Sequence, residues 1–379
     1  MNKGRRDFLG ASIGAAGALL ASSPPVVNAR PTMVEQPLRR DERTTATRIK
    51  FAVIGLNHGH IYSQTEAAIN GGGELASFHA IEDELAAAFS KRFPNAKRVR
   101  DKREILENKQ IQLVVSASIP DERAPLGIEV MQHGKDFMVD KPGIVSLQQL
   151  EAVRKVQRET KRIYSIMYSE RLENPASVYA GELINGGAIG KVVQTIGLGP
   201  HRININSRPA WFFDRARYGG IICDIGAHQC DQFLSYTGST EAQVVCSQVR
   251  NVNHPKHPGL DDFGDAVLRG NGGSGYLRVD WFTPDGLATW GDGRLTILGT
   301  EGYMELRKYI DIAGRDGGNH LFIVDHKGTR YVDCSRMPVP YGKQLVDDIL
   351  NRTETAMKQE HCFLATELAL KAQAQAVRA

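Results

Sequence analysis

Two short stretches carry side chains able to move protons. GKDFMVDKPG sets Asp140 and Lys141 at the end of an apolar run, immediately before Pro142. YGGIICDIGAHQCDQFLSYTG spaces Asp224, His228 and Asp231 at i, i+4 and i+7. An imidazole titrates near neutrality and a lysine can be brought there by burial, so either could serve as acid or base. Asp224 would then orient the imidazole or hold a hydroxyl. On a helix the three positions share one face, with Ile221, Ile222, Ile225, Phe233 and Leu234 supplying buried surface. Two other readings stand beside this one. Asp224 and His228 could share a cation, although no third ligand has suitable spacing, or His228 could be a hydrogen-bonded core residue.

Just ahead of that stretch, LGPHRININSRPAWFFDRARYGG crowds arginines and aromatic residues into an aperiodic segment. Arg208, Trp211 and Tyr218 are the candidate contacts to a sugar, whose ring offers apolar C–H patches edged by hydroxyls. The same composition could equally pack a loop against a sheet.

These groups need a scaffold. FAVIGLNHGH runs from a buried strand through Gly55 into a polar loop, as at the entry of a dinucleotide-binding unit. Gly55 supplies the tight turn, and a helix starting near Gly59 or Ile61 would aim free N–H groups at a pyrophosphate. Asn57 stands where a second glycine is usual and tolerates a left-handed backbone. His58 lies in the same loop, and His60 occupies the third glycine position. Glu82 and Asp83, after the next strand, could accept hydrogen bonds from an adenosine ribose. No arginine directly follows them, which favours NAD over NADP. Candidate strands at 49–54, 75–81, 112–116, 137–139 and 163–168 alternate with amphipathic stretches, the pattern of a parallel sheet with helices on both faces. Ser118, Asp140 and Lys141 then fall at strand carboxyl ends, where ligands of such sheets bind.

At GKDFMVDKP the sequence resembles the Gfo/Idh/MocA family of NAD(P)-dependent oxidoreductases, with Asp140 replacing the glutamate of the family's Glu-Lys-Pro hallmark. YGGIICDIGAHQCD is similar to the family's Gly-Gly, Asp-x-Gly-x-His, Asp pattern. The resemblance covers most of the chain from about Ile49 and implies Lys141, Asp224 and His228 as catalytic residues acting on a carbohydrate beside a nicotinamide. It also implies a Rossmann-type domain over 48–170, an α+β substrate and oligomerisation domain over 171–340 built on a mainly antiparallel open sheet, closing helices over 341–379, and a homodimer or homotetramer formed through that sheet. The second-half stretches VVQTIGLG, AQVVCSQV, DFGDAVLRG, SGYLRVDWF, RLTILGT, GYMELRK, HLFIVDH and TRYVDCS read independently as its strands.

Residues 1–29 have the three regions of an export signal, with Arg5 and Arg6 resembling the twin-arginine type, and 30–47 reads as a linker. The apolar stretch from Ala11 to Ala21 is too short to span a bilayer. Passage through the twin-arginine translocase after folding would place the protein in the periplasm with its cofactor already loaded. The net charge of +4 includes +2 from Lys3, Arg5, Arg6 and Asp7, so the remainder is near neutral and offers no footprint for nucleic acid. Five scattered cysteines make neither a metal signature nor a disulfide framework. Outside the cytoplasm a retained cofactor must be regenerated on the enzyme. Paired oxidation and reduction of sugars, or transient oxidation coupled to glycoside hydrolysis or elimination, would meet that need. A sugar- or dinucleotide-sensing protein without turnover is the alternative from another class.

Overall fold

A computed structural model describes residues 32–33 and 47–378. The export signal and most of the expected linker therefore lie outside the described residues. Two sheets organise the rest. The first is wholly parallel and is formed by β1 (Ile49–Ile54), β2 (Gly73–His79), β3 (Lys97–Val99), β4 (Ile111–Ser116), β5 (Asp136–Asp140) and β6 (Tyr164–Met167), in the order 3-2-1-4-5-6. That order places a crevice at the carboxyl ends of β1 and β4, where the winding reverses. The central strands read FAVI and LVV because helices cover both faces and leave no solvent side. The flanking helices are α1 (Ile61–Asn70), α2 (Asp83–Arg92), the short α3 (Arg103–Leu106), α4 (Pro120–Gln132) and α5 (Leu147–Thr160). Ser146 caps α5 by accepting from the Gln149 N–H, and Pro120 opens α4 at a position that needs no N–H donor.

After β6 come α6 (Ser169–Leu172) and α7 (Pro175–Asn185), then β7 (Val192–Pro200), α8 (Arg215–Tyr218), a π-helical turn (Ile222–Gly226) and α9 (Ala227–Thr237). Seven further strands follow: β8 (Ala242–Arg250), β9 (Phe263–Gly270), β10 (Ser274–Asp280), β11 (Arg294–Gly299), β12 (Gly302–Arg307), β13 (His320–Asp325) and β14 (Gly328–Asp333). With β7 they form a mainly antiparallel sheet in which β7 runs parallel to β10 and antiparallel to β11. The strands expected from the second-half stretches are all present.

Both edges of this sheet are extended by segments expected elsewhere. Thr32–Met33 pairs with β14, so part of the expected linker is strand, and β15 (Val377–Arg378) pairs with β8. The closing helices α10 (Tyr341–Asn351) and α11 (Gln359–Ala374) tie the lobes together. α10 packs on α1, and α11 lies between α9 and α5. The α1–α10 contact depends on a bare backbone: a Cβ on Gly342 would stand 2.0 Å from the Ala67 carbonyl oxygen. One apolar core consequently runs through both lobes, and a satellite core fills the space between α7 and β11–β14.

Candidate active site at the junction of the two sheets

β1 delivers Gly55 to the crevice with φ +85°, its N–H donating to the His79 carbonyl and its carbonyl accepting from the Ala117 N–H. A Cβ there would lie 2.5 Å from Ser118 Cβ, so only glycine fits the turn. Gly59 and His60 lead into α1, whose first N–H groups are held locally, Ile61 donating to the His58 carbonyl and Tyr62 to the Gly59 carbonyl. Asn57 does not take the left-handed backbone expected of it; instead its Nδ2 donates to Glu82 Oε1 at 2.7 Å. That bond fixes Glu82 on the wall of a 760 Å³ cavity shared with Gly55, Ser118 and Pro125. Asp83 points elsewhere, pairing with Arg98 on the surface. Arg100 and Lys102, arriving from β3, also reach the cavity wall. The glycine turn and an acid held toward the cavity suit the adenosine half of a dinucleotide.

Beyond the loop, Asp140 is the hub of a buried polar cluster. It accepts from His58 Nδ1 at 2.9 Å, His60 Nδ1 at 2.8 Å, Arg123 Nη2 at 3.1 Å and its neighbour's backbone, the Lys141 N–H, at 2.8 Å. Burial works against this carboxylate, yet His60, Arg123 and His58 hold its pKa well below the usual range. His60 thus avoids the helix–strand contact that the glycine position requires by turning toward β5. Burial lowers His58 to about 4. His58, His60 and Asp140 could converge on a cation, but Arg123 and the Lys141 N–H already occupy the carboxylate.

Lys141, 5% exposed, crosses the junction and donates from Nζ to Asp224 Oδ1 at 2.9 Å. Burial pushes Asp224 up, but the Lys141 charge and hydrogen bond outweigh it and hold the acid below its ordinary value. Asp224 therefore serves the lysine rather than the imidazole. The expected common face of Asp224, His228 and Asp231 does not form. The π-helical turn changes the register before α9. Asp231 turns away to accept from Arg171 and His361. His228 is buried, within range of the Lys141 and His60 charges, and burial lowers it to about 3.

The aromatic segment divides between cleft and core. Arg208 lies 4.4 Å from the Phe212 ring centroid and 5.0 Å from that of Trp281, and the Asp224 charge acts on it. Trp211 packs edge-on to Phe212. Tyr218 is a core residue instead, its hydroxyl accepting from the Asp261 N–H and lying 3.4 Å from the Gly259 carbonyl. Sequence reasoning missed His201, whose ring is tilted against Trp290 with centroids 4.4 Å apart and which feels both Lys141 and Asp224. Burial lowers it to about 4, and its Nδ1 contacts the Gly199 carbonyl at 3.1 Å. It also missed Arg123, which looks like a solvated helix charge but is 1% exposed.

A six-stranded dinucleotide-binding sheet whose edge lysine meets an acid of a second, mixed sheet defines a two-lobed NAD-binding oxidoreductase. The chain belongs to the Gfo/Idh/MocA family: residues 49–168 match its oxidoreductase model with the NAD-binding Rossmann fold, and 178–305 match the GFO/IDH/MocA C-terminal domain. It is 24% identical over 290 residues to scyllo-inositol 2-dehydrogenase (NAD(+)) of Bacillus subtilis, covering 75% of this chain and 79% of that protein. A solved protein of Erwinia carotovora atroseptica SCRI1043, assigned to the oxidoreductases, is 44% identical with TM-score 0.85, over 87% of this chain and 99% of its own. Levoglucosan dehydrogenase in complex with NADH and L-sorbose shares the fold at 18% identity and TM-score 0.70, over 86% of this chain and 97% of its own. The family thus includes NAD-dependent dehydrogenases of sugars and polyols.

Proposed function

We propose that this protein oxidises a ring hydroxyl of a sugar or polyol in the cleft between its lobes, with NAD favoured over NADP. The observation that carries the reading is the 2.9 Å contact from Lys141 to Asp224, which fixes an ammonium beside His228 at the edge of the dinucleotide crevice. Gly55, Ser118 and Glu82 would hold the cofactor, with the His58, His60 and Asp140 cluster next to them at the same strand ends. When bound, NAD accepts the hydride from the substrate carbon. Lys141 donates a hydrogen bond to the reacting oxygen and Asp224 keeps its ammonium in place. His228 is neutral and takes the hydroxyl proton as the C=O bond forms. Arg208 and Trp211 supply a donor and a flat face for the ring.

One observation favours a second reading, redox-neutral cleavage of a glycoside by transient oxidation: His201 is a second neutral imidazole in the same cleft, available for the proton next to the new carbonyl. The export signal, the twin-arginine translocase as transient partner, a periplasmic location, a retained cofactor and an oligomer built on the open sheet face all belong to the same proposal.

Native mass spectrometry of protein purified from its host compartment tests whether a dinucleotide travels with the chain. Assays with scyllo-inositol, levoglucosan and glucose, followed by absorbance of reduced cofactor, test oxidation, and release of the aglycone from aryl glycosides tests the second reading. Failure to bind either dinucleotide would overturn both.

A further inference from the structure

Glu170, on α6, is 2% exposed and ionised, and all of its hydrogen bonds fall on one oxygen. Oε2 accepts from Lys308 Nζ, from Gln229 Nε2 at 3.1 Å and from Gln232 Nε2 at 3.2 Å. Lys308, just past β12, is fully buried, and its ammonium also contacts Gln232 Oε1 at 3.4 Å. Taking two such ions out of water is costly, and apolar residues of similar volume often stabilise a core as well or better. Stability is therefore a poor reason for the pair to be here.

Its place offers a better one. Gln229 and Gln232 follow His228 on α9, with Gln232 one turn further on, so the carboxylate is clamped against the part of the helix that carries the imidazole. Glu170 Oε1, His228 Nδ1 and Gln229 Oε1 are each buried without a hydrogen-bond partner, and Glu170 and His228 lie near enough for their charges to act on each other. Tyr168, at the start of α6, presents its ring at right angles to the same imidazole, 6.4 Å away. Of the charges acting on His228, Glu170 is the strongest and favours its protonation, whereas Lys141, His60 and Lys308 oppose it. Glu170 in turn faces Lys308, His228 and His201, and its charge also reaches Tyr236 and Tyr309.

We propose that Glu170 is the positioning residue of His228, selecting the tautomer with its proton on Nδ1 and stabilising the imidazolium formed when the substrate hydroxyl gives up its proton to Nε2. Lys308 keeps Glu170 ionised. The proposal rests on His228 being the proton acceptor. In the balanced step the hydride passes to the cofactor, the O–H proton to Nε2, and the substrate keeps the carbonyl. A neutral imidazole whose pKa is about 3 when the site is at rest is a weak base; a buried carboxylate behind it is what makes the cation affordable in the transition state.

The test uses the whole chain labelled with ¹⁵N-histidine, the His228 signals being assigned by their loss in His228→Ala. Long-range ¹H–¹⁵N correlation at neutral pH should show Nδ1 protonated in the native protein. In Glu170→Gln/Lys308→Met, which removes both charges so that no ammonium is left buried alone, the proton should move to Nε2 or spread over both nitrogens. Turnover should fall by about 10- to 100-fold with dinucleotide affinity unchanged. Should that variant not fold, Glu170→Asp keeps the charge and should keep the native tautomer, and Glu170→Gln alone should lose it. An unchanged His228 tautomer in a folded Gln variant overturns the proposal. Full turnover by His228→Ala would instead sink the assignment of the proton acceptor, which separates the two failures.

Discussion

Lys141 reaches out of the dinucleotide-binding lobe and donates to Asp224 of the other lobe at 2.9 Å, so one hydrogen bond spans the junction at which hydride transfer is proposed. Its two partners are set by different means: Lys141 by the end of β5 and Pro142, Asp224 by a π-helical turn. Replacing Lys141 with alanine leaves the part-buried Asp224 without its cation and removes the proposed donor to the reacting oxygen. Turnover should drop by about 10²- to 10⁴-fold, the usual worth of a positioned proton-transfer group. Dinucleotide binding, measured by calorimetry, should persist, because Lys141 is not on the wall of the cavity that Gly55, Glu82 and Ser118 line. Unchanged turnover would refute the assignment.

Glu82 gives a separate handle on cofactor choice. Asn57 holds its carboxylate on the cavity wall, and Arg100 and Lys102 stand on the same wall. A hydrogen bond to a charged acceptor contributes about 1.5–3 kcal/mol, so Glu82→Ala should weaken NAD by about 10- to 100-fold. With the repelling charge gone, the two basic residues should admit a 2′-phosphate and NADP should bind more tightly than before. Equal losses for both dinucleotides in titration calorimetry would show that Glu82 does not read the ribose.

The face of the second sheet opposite α7 and α9 exposes Ile196, Leu298 and Tyr303 on adjacent strands, with Leu298 paired to Tyr303 across β11 and β12. Such a patch on a folded protein marks a contact surface. If two copies meet there, Leu298→Glu with Tyr303→Glu should convert the assembly to monomers in size-exclusion chromatography with light scattering. The fold should be intact, since both side chains are outside the core. A native protein that runs as a monomer would remove this face from consideration.

What the sequence disclosed followed local rules. Buried parallel strands read as apolar runs, Gly55 announced a turn only glycine can make, and Lys-Pro after a strand placed Lys141 at the sheet edge. β3 escaped because KRV is three residues with two charges and has no period to detect. The common helix face of Asp224 and Asp231 failed because the spacing rule assumes an unbroken α-helix, and the π-helical turn breaks it. Glu170 and Lys308 were invisible for another reason: separated by 138 positions, each reads as surface charge, and only the packing of α6, β12 and α9 buries them together. His201 likewise becomes part of the cleft through the pairing of β7 with β10 and β11, which no local window contains.

The buried imidazoles also fix how stability should respond to acid. Burial lowers His58 and His201 to about 4 and His228 to about 3, while each returns to about 6.5 in the unfolded chain. Between those limits the unfolded chain binds the additional protons, so stability is complete above pH ~6.5 and is lost as the pH falls toward 4. Each fully shielded histidine contributes a slope of about 1.4 kcal/mol per pH unit. His228 qualifies fully and the two part-exposed rings only in part, so the total should lie between about 1.4 and 4 kcal/mol per pH unit. Glu170, held at about 2, adds its own loss below pH ~4.5, because protonation removes the partner of a buried ammonium. Urea unfolding at a series of pH values reads this slope directly. A His228→Phe variant should reduce it by about 1.4 kcal/mol per pH unit, since phenylalanine occupies the buried site and has no proton to take up. A stability that stays level from pH ~6.5 down to 4.5 would mean that these rings take up protons alike in the folded and unfolded chains, which would overturn their depression by burial.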